Sequence, residues 1–251
     1  MNVLFVDSGI GGLSVLAEVI RDIPNLNFIY FADSAFAPYG TMTKEQLTAR
    51  LKQIISQFKS QINMVVLACN TATTNSIDIL RTCFSFQIIG SEPAIKPAAK
   101  ISEKIMLVCT PLTAKSKRLD SLIMSCNKPV KIFAPKHLAY CIDNFYLNNN
   151  RHAKVCIDKT IENVIKNSCD CQSIVLGCTH YCFLKDKFKE KTKLPILDGN
   201  FGIKQQVKKH ITLSNLSEHP NHKFVSSAKN KELVKKYQII FLQTLAKLTD
   251  V

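Results

Sequence analysis

The sequence predicts an α/β protein made of two similar domains, each with a mostly parallel central sheet, and a cleft between them. Short runs of Val, Ile and Leu alternate with segments of helical periodicity, which is the β-α-β order of a parallel sheet. Polar residues follow these apolar runs. Two runs end alike, at Cys69 in the first half of the chain and at Cys178 in the corresponding place of the second half. This correspondence predicts two related domains.

Eight strands are predicted in chain order. A parallel strand buried on both faces is a short and almost continuous apolar run, and each predicted strand is of this kind. The strands are expected at Val3 to Val6, Asn27 to Phe31, Met64 to Ala68, Gln87 to Ile89, Ile105 to Val108, Val130 to Phe133, Ser173 to Leu176 and Pro195 to Leu197. Because ligands bind beyond the carboxyl ends of such strands, the polar residues that follow them are expected to form a site.

Two helices are predicted with well-defined faces. Thr43 and Gln46 have the spacing of a capping box at the start of the first helix. The apolar residues of each helix recur at intervals of three and four and so form one face. They are Leu47, Leu51, Ile54, Ile55 and Phe58 in the first helix, and Leu233, Tyr237, Ile240, Phe241, Leu245 and Leu248 in the second. Residues Asn148 to Arg151 and Thr212 to Asn221 are predicted to be polar loops.

The length of the chain suits the predicted domains, since 251 residues provide ample core for two of medium size. The first domain is expected to comprise residues 1–92 together with about 203–251, and to carry Cys69. The second is expected to comprise residues 93–202 and to carry Cys178.

Composition and charge limit the class of protein. The hydrophobic fraction is 46%, and no run of about 18 apolar residues occurs, so no membrane span is expected. The first residues begin a strand without the features of a signal peptide, which predicts a cytoplasmic protein. The net charge is +14, but no aromatic-basic stripe or nucleic-acid motif accompanies the scattered lysines. Specific binding to nucleic acid is therefore not expected.

The ten cysteines are expected to be thiols, because a reducing cytosol disfavours disulfides. Four of them are interpreted as small hydrophobic residues, namely Cys83, Cys126, Cys141 and Cys156. Potential metal ligands crowd together in sequence at Cys169, Cys171, Cys178, His180 and Cys182. Cys169 and Cys171 precede a strand that Cys178 follows, which separates the two groups by about 20 Å. No metal site is therefore expected.

Cys69 and Cys178 differ from ordinary buried thiols in the residues that follow them. Asn70-Thr71 and Thr179-His180 supply hydrogen-bond donors and a base in place of further core residues. We interpret Cys69 and Cys178 as a functional pair of thiols. The alternative is two core cysteines that end strands by chance.

The first loop, from Asp7 to Ser14, has part of a dinucleotide-binding fingerprint. Gly9 and Gly11 follow a strand and precede a helix, and Asp33 lies near the position of a ribose-binding acid. However, the third glycine is missing, and the Asp7 carboxylate would face the phosphates of a cofactor. A nucleotide site is therefore disfavoured, and no cofactor is expected.

Five motifs together give the chain a family resemblance. They occur in order and at consistent spacing from residue 1 to about residue 203. The motifs are Asp7-Ser8-Gly9-Ile10-Gly11-Gly12, Asp33-Ser34 with Pro38-Tyr39-Gly40, Ala68-Cys69-Asn70-Thr71-Ala72, Gly90-Ser91-Glu92-Pro93-Ala94 and Gly177-Cys178-Thr179-His180. This set resembles the glutamate racemases of bacterial cell-wall synthesis.

The resemblance implies two pseudo-symmetric α/β domains and an isomerase that interconverts L- and D-glutamate without a cofactor, by a two-base mechanism. Inversion at Cα requires a base on one face and an acid on the other, and one thiol from each domain meets that requirement. Carried over from the family, Cys69 is the base for D-glutamate and Cys178 the base for L-glutamate. Asp7 and His180 correspond to the family's assisting groups. Since a carboxylate alone raises the pKa of a nearby thiol, Asp7 is expected to take or relay a proton, whereas His180 suits either role.

The resemblance also assigns residues to the substrate. Hydroxyl and backbone N–H groups at strand ends suit carboxylates, whereas Asp7, Asp33 and an acid near residue 143 suit the ammonium group. The alternative role of Asp33 and Ser34 is helix capping. The residues assigned to substrate binding are Ser8, Asp33, Ser34, Tyr39, Gly40, Asn70, Thr71, Thr113 and Thr179.

The chain departs from the family pattern at three places. Asp143 is the nearest acid where the family has a glutamate, on the helix after the sixth strand. Thr110 to Thr113 follow Cys109 where a glycine is usual. Ser226-Ser227-Ala228 replaces a common Ser-Gly-Asp. None of these departures removes a proposed base.

Three alternative functions stay open. The closest is an aspartate or hydantoin racemase of the same superfamily, since substrate size depends on the depth of the cleft. The second is a non-catalytic scaffold with a basic surface, in keeping with the charge of +14. The third is a pyridoxal- or nicotinamide-dependent enzyme, supported only by the incomplete glycine fingerprint. The resemblance further implies a homodimer.

Overall fold

Two parallel β-sheets form the framework of the protein, for which the computed structural model describes residues 1–212, 214 and 216–249. The strands of the first sheet are β1 (Asn2–Asp7), β2 (Asn27–Ala32), β3 (Met64–Leu67), β4 (Gln87–Gly90) and β9 (His222–Ser226), in the order β4-β3-β1-β2-β9. The strands of the second are β5 (Ile105–Cys109), β6 (Val130–Phe133), β7 (Ser173–Gly177) and β8 (Ile196–Asp198), in the order β6-β5-β7-β8. All neighbouring strands are parallel. The predicted fold class is confirmed.

Helices connect and cover the strands. They are α1 (Gly11–Asp22), α2 (Lys44–Phe58), α3 (Asn70–Cys83), α4 (Ile95–Ala99), α5 (Pro111–Ala114), α6 (Lys117–Met124), α7 (Leu138–Asn148), α8 (Arg151–Asn167), α9 (Lys185–Lys191), α10 (Asn200–Lys209) and α11 (Lys231–Thr249). Short 3-10 helices lie at Ser34–Phe36, Tyr39–Thr41 and Thr179–Leu184. Within the described ranges, no helix combines the length and the apolar character needed to cross a membrane.

All eight predicted strands are present, with ends within one residue of those expected. They were recognisable because both faces of each sheet are covered, which requires nearly continuous apolar runs. In β1, Val3 and Phe5 pack on one face, towards α1 and α11, while Leu4 and Val6 pack on the other, towards α2.

The two predicted helices are also confirmed. Thr43 and Gln46 form a reciprocal capping box at the start of α2, with hydrogen bonds of 3.2 and 3.0 Å. The predicted apolar face of α2 is buried, and that of α11 packs against the same core as α1.

The ninth strand, β9, was not predicted. It pairs in parallel with the outer edge of β2, and two of its residues, His222 and Lys223, are exposed, so it lacks an apolar run. Through β9 and α11 the chain returns to the first sheet. This membership supports the proposed division into residues 1–92 with about 203–251, and residues 93–202.

One of the two predicted loops is shorter than expected, and the described part of the other contains neither α-helix nor strand. Asn148 and Arg151 belong to α7 and α8, which leaves only Asn149 and Asn150 between the helices. In the loop predicted from Thr212 to Asn221, positions 213 and 215 lie outside the described residues, and no described residue of it belongs to a strand.

The chain crosses between the two lobes twice. It leaves the first sheet through residues 91–94 and returns at Gly199, before α10. A Cβ atom on Gly199 would lie 2.4 Å from the carbonyl oxygen of Glu92, so the two crossings touch and only glycine fits. At the same place Arg118 of α6 pairs with Glu92 (2.6 Å) and with Asp78 of α3 (2.8 Å). The crossings are thus in contact with each other and with an ion pair that joins the lobes.

The capping box of α2 provides a test of the local structure. Thr43→Ala removes the side-chain acceptor for the Gln46 N–H group and is expected to lower the free energy of unfolding by about 1 kcal/mol in urea titrations. Thr43→Ser keeps the hydroxyl group and serves as the control. Equal stability of the alanine variant and the native chain would contradict the role of the cap.

Candidate active site

The candidate site lies between the sheets, where the carboxyl ends of their strands face each other. Asp7 is the last residue of β1, Cys69 follows β3, and Cys178 follows β7. Both cysteines are buried, each with 4% of its surface exposed. They are close enough for the charge of Cys178 to raise the pKa of Cys69. The structure thus brings together the two thiols singled out in the sequence.

Cys69 is held at the N-terminus of α3. The backbone N–H groups of Thr71 and Ala72 donate hydrogen bonds to its sulfur, an arrangement that favours a thiolate. Burial first, and then the charges of Asp7 and Cys178, outweigh these bonds and raise the pKa of Cys69 well above its usual value. Cys69 is therefore a neutral thiol at neutral pH. The Asp7 carboxylate raises the pKa of this thiol, as predicted for a nearby negative charge.

His180 lies in the 3-10 helix after Cys178 and is hydrogen-bonded to that thiol. Its Nε2 atom is 3.2 Å from Oδ2 of Asp143, on α7. Burial lowers the pKa of His180. The charge and hydrogen bond of Asp143 have the opposite effect, and Cys178 and Asp7 add to it. Together they outweigh burial and raise the pKa of His180 well above its usual value. His180 is therefore an imidazolium at neutral pH, and Asp143 is the residue that keeps it protonated.

Asp7 joins the two lobes through its carboxylate. Oδ1 accepts the N–H of Gly9 (2.9 Å), and Oδ2 accepts the hydroxyl of Thr179 (2.9 Å), which belongs to the second lobe. Burial raises the pKa of Asp7, while the charge of His180 and these two hydrogen bonds oppose the shift. A carboxylate with a raised pKa that interacts with both Cys69 and His180 is suited to accept and pass on a proton.

The loop between β1 and α1 owes its glycines to the close approach of the second lobe. A Cβ atom on Gly11 would lie 2.4 Å from Nδ1 of His180 and 2.6 Å from Oγ1 of Thr179. The N–H of Ile10 is bonded to Oδ1 of Asp143 at 3.2 Å. In a dinucleotide-binding loop, the cofactor phosphates bind beside these glycines. Here side chains of the second lobe occupy that position.

A cluster of threonine hydroxyls joins the two lobes near Cys69. Thr71 of the first lobe contacts Thr110 (2.9 Å) and Thr113 (3.3 Å) of the second. Gly40 packs against Thr110, since a Cβ there would lie 3.5 Å from the threonine Cβ. Asn70 donates to the carbonyl of Ser91 at 3.1 Å. Thr110 was not among the assigned site residues, although it follows β5 as the other site residues follow their strands.

Asp33 requires a correction. Arg50 of α2 binds both of its carboxylate oxygens (2.9 and 2.6 Å), and the hydroxyl of Tyr39 donates to one of them (3.0 Å). The charge of Asp33 is thus neutralised inside the protein, which disfavours the expected contact with a substrate ammonium. Helix capping is also wrong for Asp33, because its side chain makes no cap hydrogen bond. Asp33 positions Tyr39 instead. No motif in the sequence pointed to Arg50.

Ser34 is engaged with the strand that the sequence did not reveal. Its hydroxyl is 2.7 Å from that of Ser226, and the Ser227 hydroxyl accepts the N–H of Ala35 at 3.0 Å. The altered Ser226-Ser227 segment therefore holds the 3-10 helix after β2 in place. Ser34 has a structural partner independent of any substrate.

The remaining assigned residues are placed as follows. Ser8 is buried beside Gly9 and lines, with Ser34, Tyr140 and Asp143, a cavity of about 260 Å³. A larger cavity of about 500 Å³ lies near the chain crossings at Glu92 and Gly199. Neither cysteine lines these two cavities.

Two buried thiols at the facing ends of two parallel sheets define a two-lobed α/β protein with a site shared by both lobes. The chain belongs to the Asp/Glu/Hydantoin racemase family, which matches residues 12–201. It is 38% identical over 220 residues to the glutamate racemase of Clostridium botulinum strain Alaska E43, covering 84% of each chain. It is 35% identical over 215 residues to the glutamate racemase of Vibrio cholerae serotype O1, covering 82% of this chain and 79% of that one.

Solved structures share the fold. Escherichia coli glutamate racemase, in complex with L-glutamate and the activator UDP-MurNAc-Ala, superposes with a TM-score of 0.84 at 23% identity, over 97% of this chain and 94% of that chain. Francisella tularensis glutamate racemase, in complex with D-glutamate, gives 0.80 at 20% identity, over 96% and 93%. Picrophilus torridus aspartate racemase gives 0.58 at 15% identity, over 84% and 94%.

A pair of glycine substitutions tests the close approach of the lobes. Gly11→Ala places a methyl group against His180 and Thr179 and is expected to lower the free energy of unfolding by about 1–3 kcal/mol. Gly202→Ala is the matched control, because nothing lies within 4 Å of a Cβ there. In the first turn of α10 that change replaces glycine with a better helix former and is expected to raise stability by up to about 1 kcal/mol. Chemical denaturation of both variants measures the difference, and equal effects would contradict the packing described.

The protonation of His180 provides a second test. Asp143→Asn removes the main cause that raises the pKa of His180, so this pKa is expected to fall and the ring to become neutral at a lower pH. Titration of the imidazole nitrogens by NMR measures the shift. Asp120→Asn removes an exposed charge from α6 and is the control. An unchanged titration of His180 in the Asp143 variant would show that another group holds the proton.

Proposed function

We propose that this protein is a glutamate racemase, which interconverts L- and D-glutamate without a cofactor and supplies D-glutamate for peptidoglycan synthesis. The observation that carries the proposal is the pair of buried thiols, Cys69 and Cys178, contributed by opposite lobes to one site. Membership of the racemase family and the similarity to curated glutamate racemases support it.

Each thiol acts on one face of the substrate Cα. Cys178 removes the proton from L-glutamate while Cys69 delivers one to the opposite face, and the roles reverse for D-glutamate. The resting protonation supports this assignment. His180 as an imidazolium donates a hydrogen bond to the Cys178 sulfur, whereas burial and the charge of Asp7 keep the proton on Cys69.

The proposed contacts with substrate are made by polar groups around the thiols, several of which would exchange their present hydrogen bonds within the protein for bonds to the substrate. The carboxylates of glutamate are assigned to Ser8, Tyr39, Gly40, Asn70, Thr71, Thr113 and Thr179, with Thr110 added from the hydroxyl cluster. The ammonium group is assigned to Asp7 and to Asp143, which lies beside the smaller cavity and has one oxygen on His180, rather than to Asp33, both of whose oxygens are bound by Arg50. Bringing a positive ammonium group near Cys69 lowers the cost of ionising that thiol.

Glutamate is favoured over aspartate as the substrate. The chain superposes far better on the glutamate racemases than on the aspartate racemase, with TM-scores of 0.84 and 0.58. A cytoplasmic location is proposed with this function and is supported by the cysteines, all ten of which are free. A homodimer is proposed from the family resemblance, and sedimentation analysis tests it.

Proton NMR of the purified protein with each glutamate enantiomer in deuterated water tests the function. Loss of the Cα proton signal from both enantiomers, together with decay of the optical rotation to zero, is expected without any added cofactor. Exchange with aspartate but not with glutamate would identify a sister racemase. Exchange with neither would leave a non-catalytic scaffold as the function.

Substitution of either thiol tests the two-base mechanism. Cys69→Ser and Cys178→Ser are each expected to reduce racemisation by at least about 10³-fold, because a serine hydroxyl is too weak an acid and base for this exchange. Circular dichroism monitors the fold. Cys83→Ser is the control, since Cys83 is exposed at the end of α3 and is expected to keep full activity. Full activity in either of the first two variants would contradict the mechanism.

A further inference from the structure

Two cysteines outside the candidate active site contact each other. The Sγ atoms of Cys141 on α7 and Cys156 on α8 are 2.8 Å apart. The sulfur atoms of a disulfide are separated by about 2.05 Å, so these two need to approach by less than about 1 Å to form a bond. The proposed racemisation uses neither of them.

The contact follows from the local sequence. Asn149 adopts the left-handed conformation (φ 50°), and the side chain of Asn150 caps α8 by accepting the N–H of Ala153, so α7 and α8 form a tight helical hairpin. Cys141 precedes Asn149 by eight residues and Cys156 follows it by seven. At about 1.5 Å per residue, both thiols lie at nearly the same distance from the turn. The hairpin therefore holds them opposite each other.

The two thiols differ in their surroundings. Cys141 is buried, and burial, followed by the hydrogen bond and charge of Cys156, raises the pKa of Cys141 to about 12. Cys156 is half-buried and is therefore the more exposed of the two thiols. Cys156 is therefore the thiol that an oxidant reaches, and Cys141 is its neighbour in position to form the bond.

The helix that carries Cys141 also forms a wall of the candidate site. Asp143, two residues further along α7, holds His180, and the hydroxyl of Tyr146 donates to the carbonyl of Phe183 at 3.1 Å. Phe183 belongs to the same 3-10 helix as His180. A covalent bond from α7 to α8 therefore restrains the helix whose Asp143 and Tyr146 hold the 3-10 helix of His180.

We propose that Cys141 and Cys156 form a reversible disulfide under peroxide and so fix α7, with Asp143, against α8. Hydrogen peroxide oxidises the Cys156 thiol to a sulfenic acid and releases one water. The Cys141 sulfur then attacks the Cys156 sulfur, the S–S bond forms, and a second water leaves. Two electrons pass from the two sulfurs to the peroxide. Disulfides in a reducing compartment are usually transient, and two equivalents of a small thiol reverse this one.

Peptide mapping of the full-length protein tests the proposal. Protein treated with hydrogen peroxide is quenched, denatured, alkylated and digested. A cross-linked pair of peptides joining Cys141 to Cys156 is expected in the native chain, absent after dithiothreitol and absent from Cys156→Ser. Cys126→Ser, which alters another partly buried thiol, is expected to keep the cross-link. The proposal would be overturned if Cys141 and Cys156 were each recovered alkylated after other cysteines had been oxidised. It would also be overturned if either cysteine formed a bond to a different cysteine.

Thermal unfolding tests the effect on the hairpin. The disulfide closes a short loop, so peroxide is expected to raise the Tm of the native chain by about 5 °C, and dithiothreitol to reverse the rise. Cys156→Ser is expected to show no such rise. Cys156 is only half-buried, so this variant retains the fold even if Cys141→Ser does not. A cross-linked protein with an unchanged Tm would show that the bond does not fix α7.

Discussion

The close approach of the loop after β1 to the second lobe is the constraint on which the rest of the site depends. Gly11 leaves the space that Thr179 and His180 occupy, and the Asp7 carboxylate then reaches the Thr179 hydroxyl at 2.9 Å. This contact places residues from β1, β3 and β7 in a common, water-excluded environment. In such an environment charges act strongly on one another, which is why Asp7, Cys69 and His180 all have shifted pKa values.

The two thiols are not equivalent, although the lobes are similar. Cys69 lies beside a carboxylate, whereas Cys178 lies beside an imidazolium. In the proposed mechanism each turnover moves one proton from one thiol to the other, so a second turnover in the same direction requires that proton to return. Asp7 interacts with Cys69, His180 interacts with Cys178, and the two assisting groups interact with each other. The proposed mechanism assigns the return of the proton to Asp7 and His180.

The sequence predicted the features that depend on continuous local patterns. Eight strands and the two thiol motifs were recognisable because buried parallel strands need apolar runs and because the site residues directly follow them. The edge strand β9 was missed, since an edge strand with exposed His222 and Lys223 has no such run. The pairing of Asp33 with Arg50 was missed for another reason. It joins residues 17 positions apart on different elements, and no local pattern records which two opposite charges will meet.

The contact between the two chain crossings has a mechanical consequence. Because Gly199 lies against the carbonyl of Glu92, the two covalent connections between the lobes are adjacent rather than at opposite ends of the interface. Two adjacent connections permit rotation about the axis that passes through them, while they resist sliding of one lobe past the other. Cys69 and Cys178 lie at strand ends on opposite lobes, so such a rotation would change the distance between them. The two lobes are therefore joined as by a single hinge, which limits the directions in which Thr179 and His180 can move relative to Asp7.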